Sequence, residues 1–173
     1  LTLYREIPKP EICKEVLKTM LQDLKGGLLT NIGVGQSAEY NSADASLWFF
    51  WALQEYVEVT KYPAETWKYF RNEINHILDK YKEGTLYNIH MKKNGLLYGG
   101  QENVALTWMD AVVDGVPVTP RAGYTVELNA LWYNAICFSL EMAKAAGDKE
   151  FIEKWKCIPS SLKTAFKDMF WDE

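Results

Sequence analysis

The residues that could do chemistry are concentrated in one run, from Leu106 to Asn134. Thr107-Trp108-Met109-Asp110 sets a carboxylate beside an indole. A loop broken by Gly115, Pro117, Pro120 and Gly123 follows, and Arg121 is its lone arginine. Tyr124, Glu127, Asn129 and Trp132 then come at the mouth of an apolar helical segment. Flat rings beside acids are what a site needs to hold a sugar and to protonate its glycosidic oxygen. A carboxyl packed against a large ring loses solvation, and its pKa rises toward the range of a general acid at neutral pH. Asp110 fits that role; the alternative is an aspartate that accepts backbone hydrogen bonds within the loop.

Other polar residues carry two readings each. Asp44, after Tyr40-Asn41-Ser42-Ala43, is either a helix-start carboxylate favoured by the macrodipole at ~0.3–1 kcal/mol or an acceptor for sugar hydroxyls. Ser42 could cap the same helix. Glu127 has the same pair of readings, with Asn129 and Trp132 close enough to share a ligand. Arg121 is either a strut paired with a carboxylate or a solvated loop charge. Trp48 and Trp51 are assigned to the core. His76 falls on an outer helix and His90 in a hairpin strand, and neither sits among ligands at metal spacing. Gly33-Val34-Gly35 and Gly99-Gly100 match no phosphate or dinucleotide fingerprint. The expectation is therefore no metal and no cofactor.

The elements that must position these residues follow from hydrophobic period. Pro10 opens a first helix whose apolar positions are Cys13, Val16, Leu17, Met20, Leu21 and Leu24, and Gly26-Gly27 ends it. A second helix is predicted over about residues 43–60, apolar on most sides through Leu47-Trp48-Phe49-Phe50-Trp51-Ala52-Leu53. A third, over about 63–82, is amphipathic, with Trp67, Phe70, Ile74, Ile77, Leu78 and Tyr81 as its stripe. Residues 85–99 change period around Asn94-Gly95, a hairpin signal. A long excursion over roughly 99–125 follows, and a loop of that length in a compact domain is usually functional. A fourth helix, about 126–146, is again largely apolar and is ended by Gly147, with Asp148 placed to cap the next. The fifth, about 149–171, is amphipathic, with a bend expected at Pro159.

The helices thus alternate between amphipathic and buried. That pattern predicts an all-α fold in two concentric layers, an incomplete α/α barrel with a small β-hairpin and a long active-site loop. Helices two and four form the inner layer, run parallel and open at one rim, where Asp44 and the loop from Trp108 to Glu127 would meet. Five helices cannot close such a barrel. The chain also begins at Leu1 and stops at Phe170-Trp171-Asp172-Glu173 while the apolar period is still running. Residues 1–173 are therefore expected to be a single fragment of a larger catalytic domain. Uncovered inner faces imply association with the remainder of the barrel, or self-association of the fragment.

Composition agrees. Of 173 residues, 48% are hydrophobic and 24% charged, which suits a globular domain. A net charge of −4 attracts neither nucleic acid nor an anionic membrane. No apolar stretch has the ~20 residues of a membrane span. Cys13, Cys137 and Cys157 show no disulfide or metal spacing, which fits a reducing, cytoplasmic setting.

Four segments together resemble the glucosidase domain of glycogen debranching enzymes of the bacterial and archaeal type. They are Tyr40-Asn-Ser-Ala-Asp44-Ala-Ser-Leu-Trp48-Phe49, Leu106-Thr-Trp-Met-Asp110-Ala111, Val118-Thr-Pro-Arg121 and Val126-Glu-Leu-Asn-Ala-Leu-Trp-Tyr-Asn134-Ala135. The resemblance implies a six-hairpin α/α barrel and inverting hydrolysis of α-1,6-linked glucose at branch points of glycogen or a similar α-glucan. It makes Asp110 the general acid and lines the glucose subsite with Asp44, Trp108, Arg121, Glu127 and Trp132. The family's general base is a glutamate nearer the C-terminus of the complete domain, in a segment not found here, so the fragment alone is expected to be inactive. One departure is Val112, where many relatives carry a lysine. Rival readings are a glucoamylase-like or trehalase-like six-hairpin enzyme and a non-catalytic glucan-binding module.

Overall fold

The computed structural model describes residues 9–33, 35–102, 104–107, 111–119 and 121–171. The protein is mostly helical, with two short antiparallel hairpins. The helices are α1 (Pro10–Met20), α2 (Ala45–Thr60), α3 (Pro63–Glu83), α4 (Val126–Ala146), α5 (Lys149–Trp155) and α6 (Ile158–Phe170). Strand β1 (His90–Met91) pairs with β2 (Leu97–Tyr98), and β3 (Val112–Val113) with β4 (Val116–Pro117).

Local chemistry sets most boundaries. Prolines occupy the first turns of α1, α3 and α6, where a missing N–H costs nothing. Lys61 and Gly147 end α2 and α4 in the left-handed conformation. Asp148 accepts a bond from Phe151 N at 3.1 Å and so starts α5. The fifth helix of the sequence reading is in fact two, divided at Lys156-Cys157; Pro159 lies in the first turn of α6 and starts a helix instead of bending one. The long excursion also holds a hairpin of its own. Asp114 and Gly115 both have positive φ, 51° and 78°, the requirement of a type I′ turn between β3 and β4.

Helix directions follow from three contacts of α3. Near its C-terminus, Tyr81 donates to Ala43 O, at the start of α2, at 2.8 Å. The same ring stacks on Trp132, in the first half of α4, with centroids 6.0 Å apart. At its N-terminus, Trp67 donates to Asp148 Oδ2, just past the end of α4. So α2 and α4 both begin where α3 ends, and they run parallel, as expected. Asn134 Nδ2 to Gln54 Oε1 (3.0 Å) joins them midway.

The core is built on α4, which packs against α2, α3, α5, α6 and β2. A chain of rings crosses it: Tyr81 on Trp132, Trp132 edge-on to Trp155, Trp155 against Phe151, and Phe151 edge-on to Trp67. Edge-to-face pairs of this kind add about 0.5–1.5 kcal/mol beyond burial. Much of the aromatic content is therefore structural. The α3 stripe is buried in full. On α1 only Leu17 is buried, and Val16 and Met20 are exposed. Helix α2 buries Leu47, Phe49, Phe50 and Leu53, whereas Trp48 (44% exposed) and Trp51 (37%) lie on its open face. These two rings are not core residues, contrary to the reading from the apolar run; among the described residues, nothing covers them on that side of α2.

Candidate active site

The parallel α2 and α4 place their N-termini at one end of the molecule, and two polar walls form there. On the first, Ser42 Oγ donates to Asp44 Oδ1 at 2.6 Å and accepts from Ala45 N at 3.3 Å. The hydroxyl thus accepts from the first amide of α2 and holds the carboxylate at once. Asp44 is buried, only 2% exposed. Ser46 Oγ accepts from Leu29 N at 2.8 Å and fixes the preceding loop.

Leu106 and Thr107 are tied to this wall. Ala43 N donates to Leu106 O at 2.7 Å, and Leu106 and Thr107 are buried. Trp108 and Asp110 themselves lie outside the described residues.

The second wall is the start of α4. Arg121 and Glu127 form an ion pair, with side chains 20% and 27% exposed. The strut reading of Arg121 therefore holds, and its partner is the first-turn carboxylate of α4. Tyr124 meets Tyr98 edge-on with centroids 5.4 Å apart, and Lys92 Nζ sits 4.5 Å over the Tyr98 ring.

Two residues expected near a ligand are structural. Trp132 is fully buried between Tyr81 and Trp155, and its Nε1 donates to Gly95 O at 3.2 Å. As placed, neither ring face is open to a sugar. Asn129, also fully buried, bonds Leu97 N at 2.7 Å, Leu97 O at 3.0 Å and Thr125 O at 3.0 Å. Sequence types alone suggested ligand contact; helical phase puts both on the face that α4 turns to the hairpin and α3.

Among the described residues no group of three or more His, Cys, Asp or Glu could hold a metal ion, and no helix is long and apolar enough to cross a membrane. Of the expected site residues, Arg121 and Glu127 are in contact and partly accessible, Asp44 is buried at the neighbouring helix start, and Trp132 is in the core. Sequence reasoning named Ser42 as a helix cap but passed over its hold on the Asp44 carboxylate. Its signal was position two residues before a carboxylate at a helix start.

A protein-family model described as amylo-alpha-1,6-glucosidase matches residues 9–173. A glycogen debranching enzyme of Saccharomyces cerevisiae is 25% identical over 69% of this chain. The matched stretch covers 11% of that relative's own length.

Proposed function

The chain belongs to the amylo-alpha-1,6-glucosidase family, and from that premise we propose that it forms part of a catalytic α/α barrel that releases α-1,6-linked glucose from the branch points of a glycogen-like glucan. The observation that supports this reading is the polar rim at the starts of α2 and α4, where Ser42 holds Asp44 and Arg121 pairs with Glu127. Parallel inner helices with open faces are what a larger ring of helix hairpins would continue.

In this reading Asp110 is the general acid. It protonates the glycosidic oxygen as the bond to the anomeric carbon breaks. A water on the opposite face, deprotonated by a second carboxylate, attacks that carbon and inverts its configuration. Inversion requires the two carboxyls ~6.5–9.5 Å apart. The second one is supplied from outside residues 1–173, and the isolated chain is inactive. Arg121 and Glu127 hold glucose hydroxyls, and the ion pair keeps both oriented before substrate arrives. Asp44, held by Ser42, shapes the adjacent wall. Cys13, Cys137 and Cys157 are all free thiols, which suits action in the reducing cytoplasm.

The test is Asp110→Asn in the complete enzyme, assayed for glucose release from a branched limit dextrin and for the anomer first formed. Loss of at least ~100-fold in kcat, with inverted product from the wild type, is expected. Near-normal turnover by the variant would overturn the acid assignment. Preference for α-1,4 over α-1,6 linkages would overturn the substrate.

A further inference from the structure

The buried amide of Asn129 has no part in the chemistry above, yet it closes a circuit that ends on the site. Asn129 bonds both the N–H and the carbonyl of Leu97, much as a neighbouring strand would. Along a strand, backbone groups alternate sides with period two. Leu97 and Gly99 therefore face the same edge of β2, the edge that β1 does not occupy. At Gly99 that edge is taken by Gly123, with Gly99 N to Gly123 O at 3.0 Å and Gly123 N to Gly99 O at 2.6 Å. Two residues before Gly123 is Arg121, which pairs with Glu127. Glu127 and Asn129 belong to the same first turns of α4. The path runs from α4 through Asn129, β2, Gly99–Gly123, Arg121 and Glu127, and returns to α4.

We propose that Asn129 is a positioning residue that sets the placement of Arg121 against Glu127, and so the affinity of the site for glucose, through the Leu97–Gly99 edge of β2. Every polar atom of its amide is used: the oxygen accepts from Leu97 N, and the nitrogen donates to the carbonyls of Leu97 and Thr125. No other side chain of similar size offers one acceptor and two donors in that shape. Asn129→Asp keeps the acceptor and loses both donors. Asn129→Ala loses all three bonds.

The proposal rests on the glycosidase reading, and the experiment separates the two. In the complete enzyme, KM and kcat for a branched limit dextrin are measured for wild type, Asn129→Ala, Asn129→Asp, Gly99→Ala and Trp67→Phe. Gly99→Ala tests the relay without altering Asn129: its added Cβ would meet Ile89 Cγ1 at 3.1 Å, a crowding that the Ile89 side chain or the Gly99 backbone must relieve. Trp67→Phe removes a hydrogen bond at the far end of α4 and controls for general loosening. Misplacement of a binding group should raise KM about tenfold or more, with kcat within about threefold, in Gly99→Ala and in whichever Asn129 variants fold. Trp67→Phe should leave KM within about twofold. An unchanged KM in Gly99→Ala, or an equal rise in Trp67→Phe, overturns the proposal. A wild-type enzyme that releases no glucose overturns the functional reading instead. In that case hydrogen exchange still tests the circuit: Gly99→Ala should speed exchange at the Gly123 amide, and unchanged protection there overturns it.

Discussion

Trp67 and Asp148 are joined by a 3.1 Å hydrogen bond from the indole Nε1 to Oδ2, which ties the start of α3 to the start of α5 across the end of α4. The same carboxylate pairs with Arg71 and caps α5 through Phe151 N. Burial pushes the Asp148 carboxyl up, but the bonds from Arg71, Phe151 N and Trp67, with the Arg71 charge, outweigh it and hold the pKa below the ordinary aspartate value. A depressed folded-state pKa contributes stability that is present above the unfolded value of ~3.9 and is lost as pH falls through the folded one. Asp148→Asn should flatten the acid limb of the stability–pH curve. Asp148→Ala should destabilise the fold by about 2–3 kcal/mol at pH 7, since a cap and two donors lose their acceptor. Chemical denaturation between pH 2 and 7 checks both.

Glu127→Gln separates binding from folding. The ion pair with Arg121 is partly solvated, so its loss should cost under about 1 kcal/mol of stability. A charge-assisted bond to a sugar hydroxyl contributes more, and KM in the complete enzyme should rise about tenfold. Paired measurement of the melting temperature and KM decides. A large stability loss with unchanged KM would make the pair structural only.

Gly95 sets the β1–β2 hairpin against Leu162 of α6. Its φ is +92°, and an added Cβ would meet Leu162 Cβ at 3.1 Å and Leu162 backbone N and Cα at 3.2 Å. Gly95→Ala therefore meets conformational strain and overpacking together, for about 2–4 kcal/mol. Equilibrium unfolding of the variant measures it, and a change below 0.5 kcal/mol would mean the hairpin can lift freely (the ~0.5 kcal/mol scatter of neutral surface changes sets that limit).

The exposed face of α2 carries Trp48 and Trp51 edge-on at 6.3 Å, and α4 and α6 leave a groove lined by Ala130, Tyr133, Phe166 and Trp171 together with Lys163, Lys167 and Asp168. Such surface associates in water. The isolated chain should form concentration-dependent oligomers by light scattering, and Trp48→Gln with Trp51→Gln should shift it toward monomer. A monomer at all concentrations, with no binding of an apolar dye, would contradict this.

Helix order and most helix ends were legible because their signals are local. Pro10, Pro63, Gly147 and Asp148 each act within one turn. The break at Lys156-Cys157 was not, because a proline near a helix start and one in a bend read alike. The β3–β4 hairpin carried its Asp114-Gly115 signal openly, but the strands are two residues each, too short for a period to register. Burial failed in both directions for one reason. Trp48 and Trp51 lie in an apolar run yet face outward, while Asn129 and Trp132 look ligand-like yet face inward; what decides is the neighbour each face meets, and that is tertiary. Within the site, an Arg121 strut to a carboxylate was anticipated without its partner Glu127, whereas the circuit through Asn129 joins residues 97–99 to residues 121–129 and leaves no local mark. Asp110 and Trp108 lie outside the described residues, and their roles rest on the sequence.

Tyr81 reaches the starts of both α2 and α4, Ala43 through its hydroxyl and Trp132 through its ring face. One phenol thus acts as a gauge block between the two walls of the cleft. Its length sets their separation, so the spacing of the two polar walls is fixed by a residue that solvent never reaches.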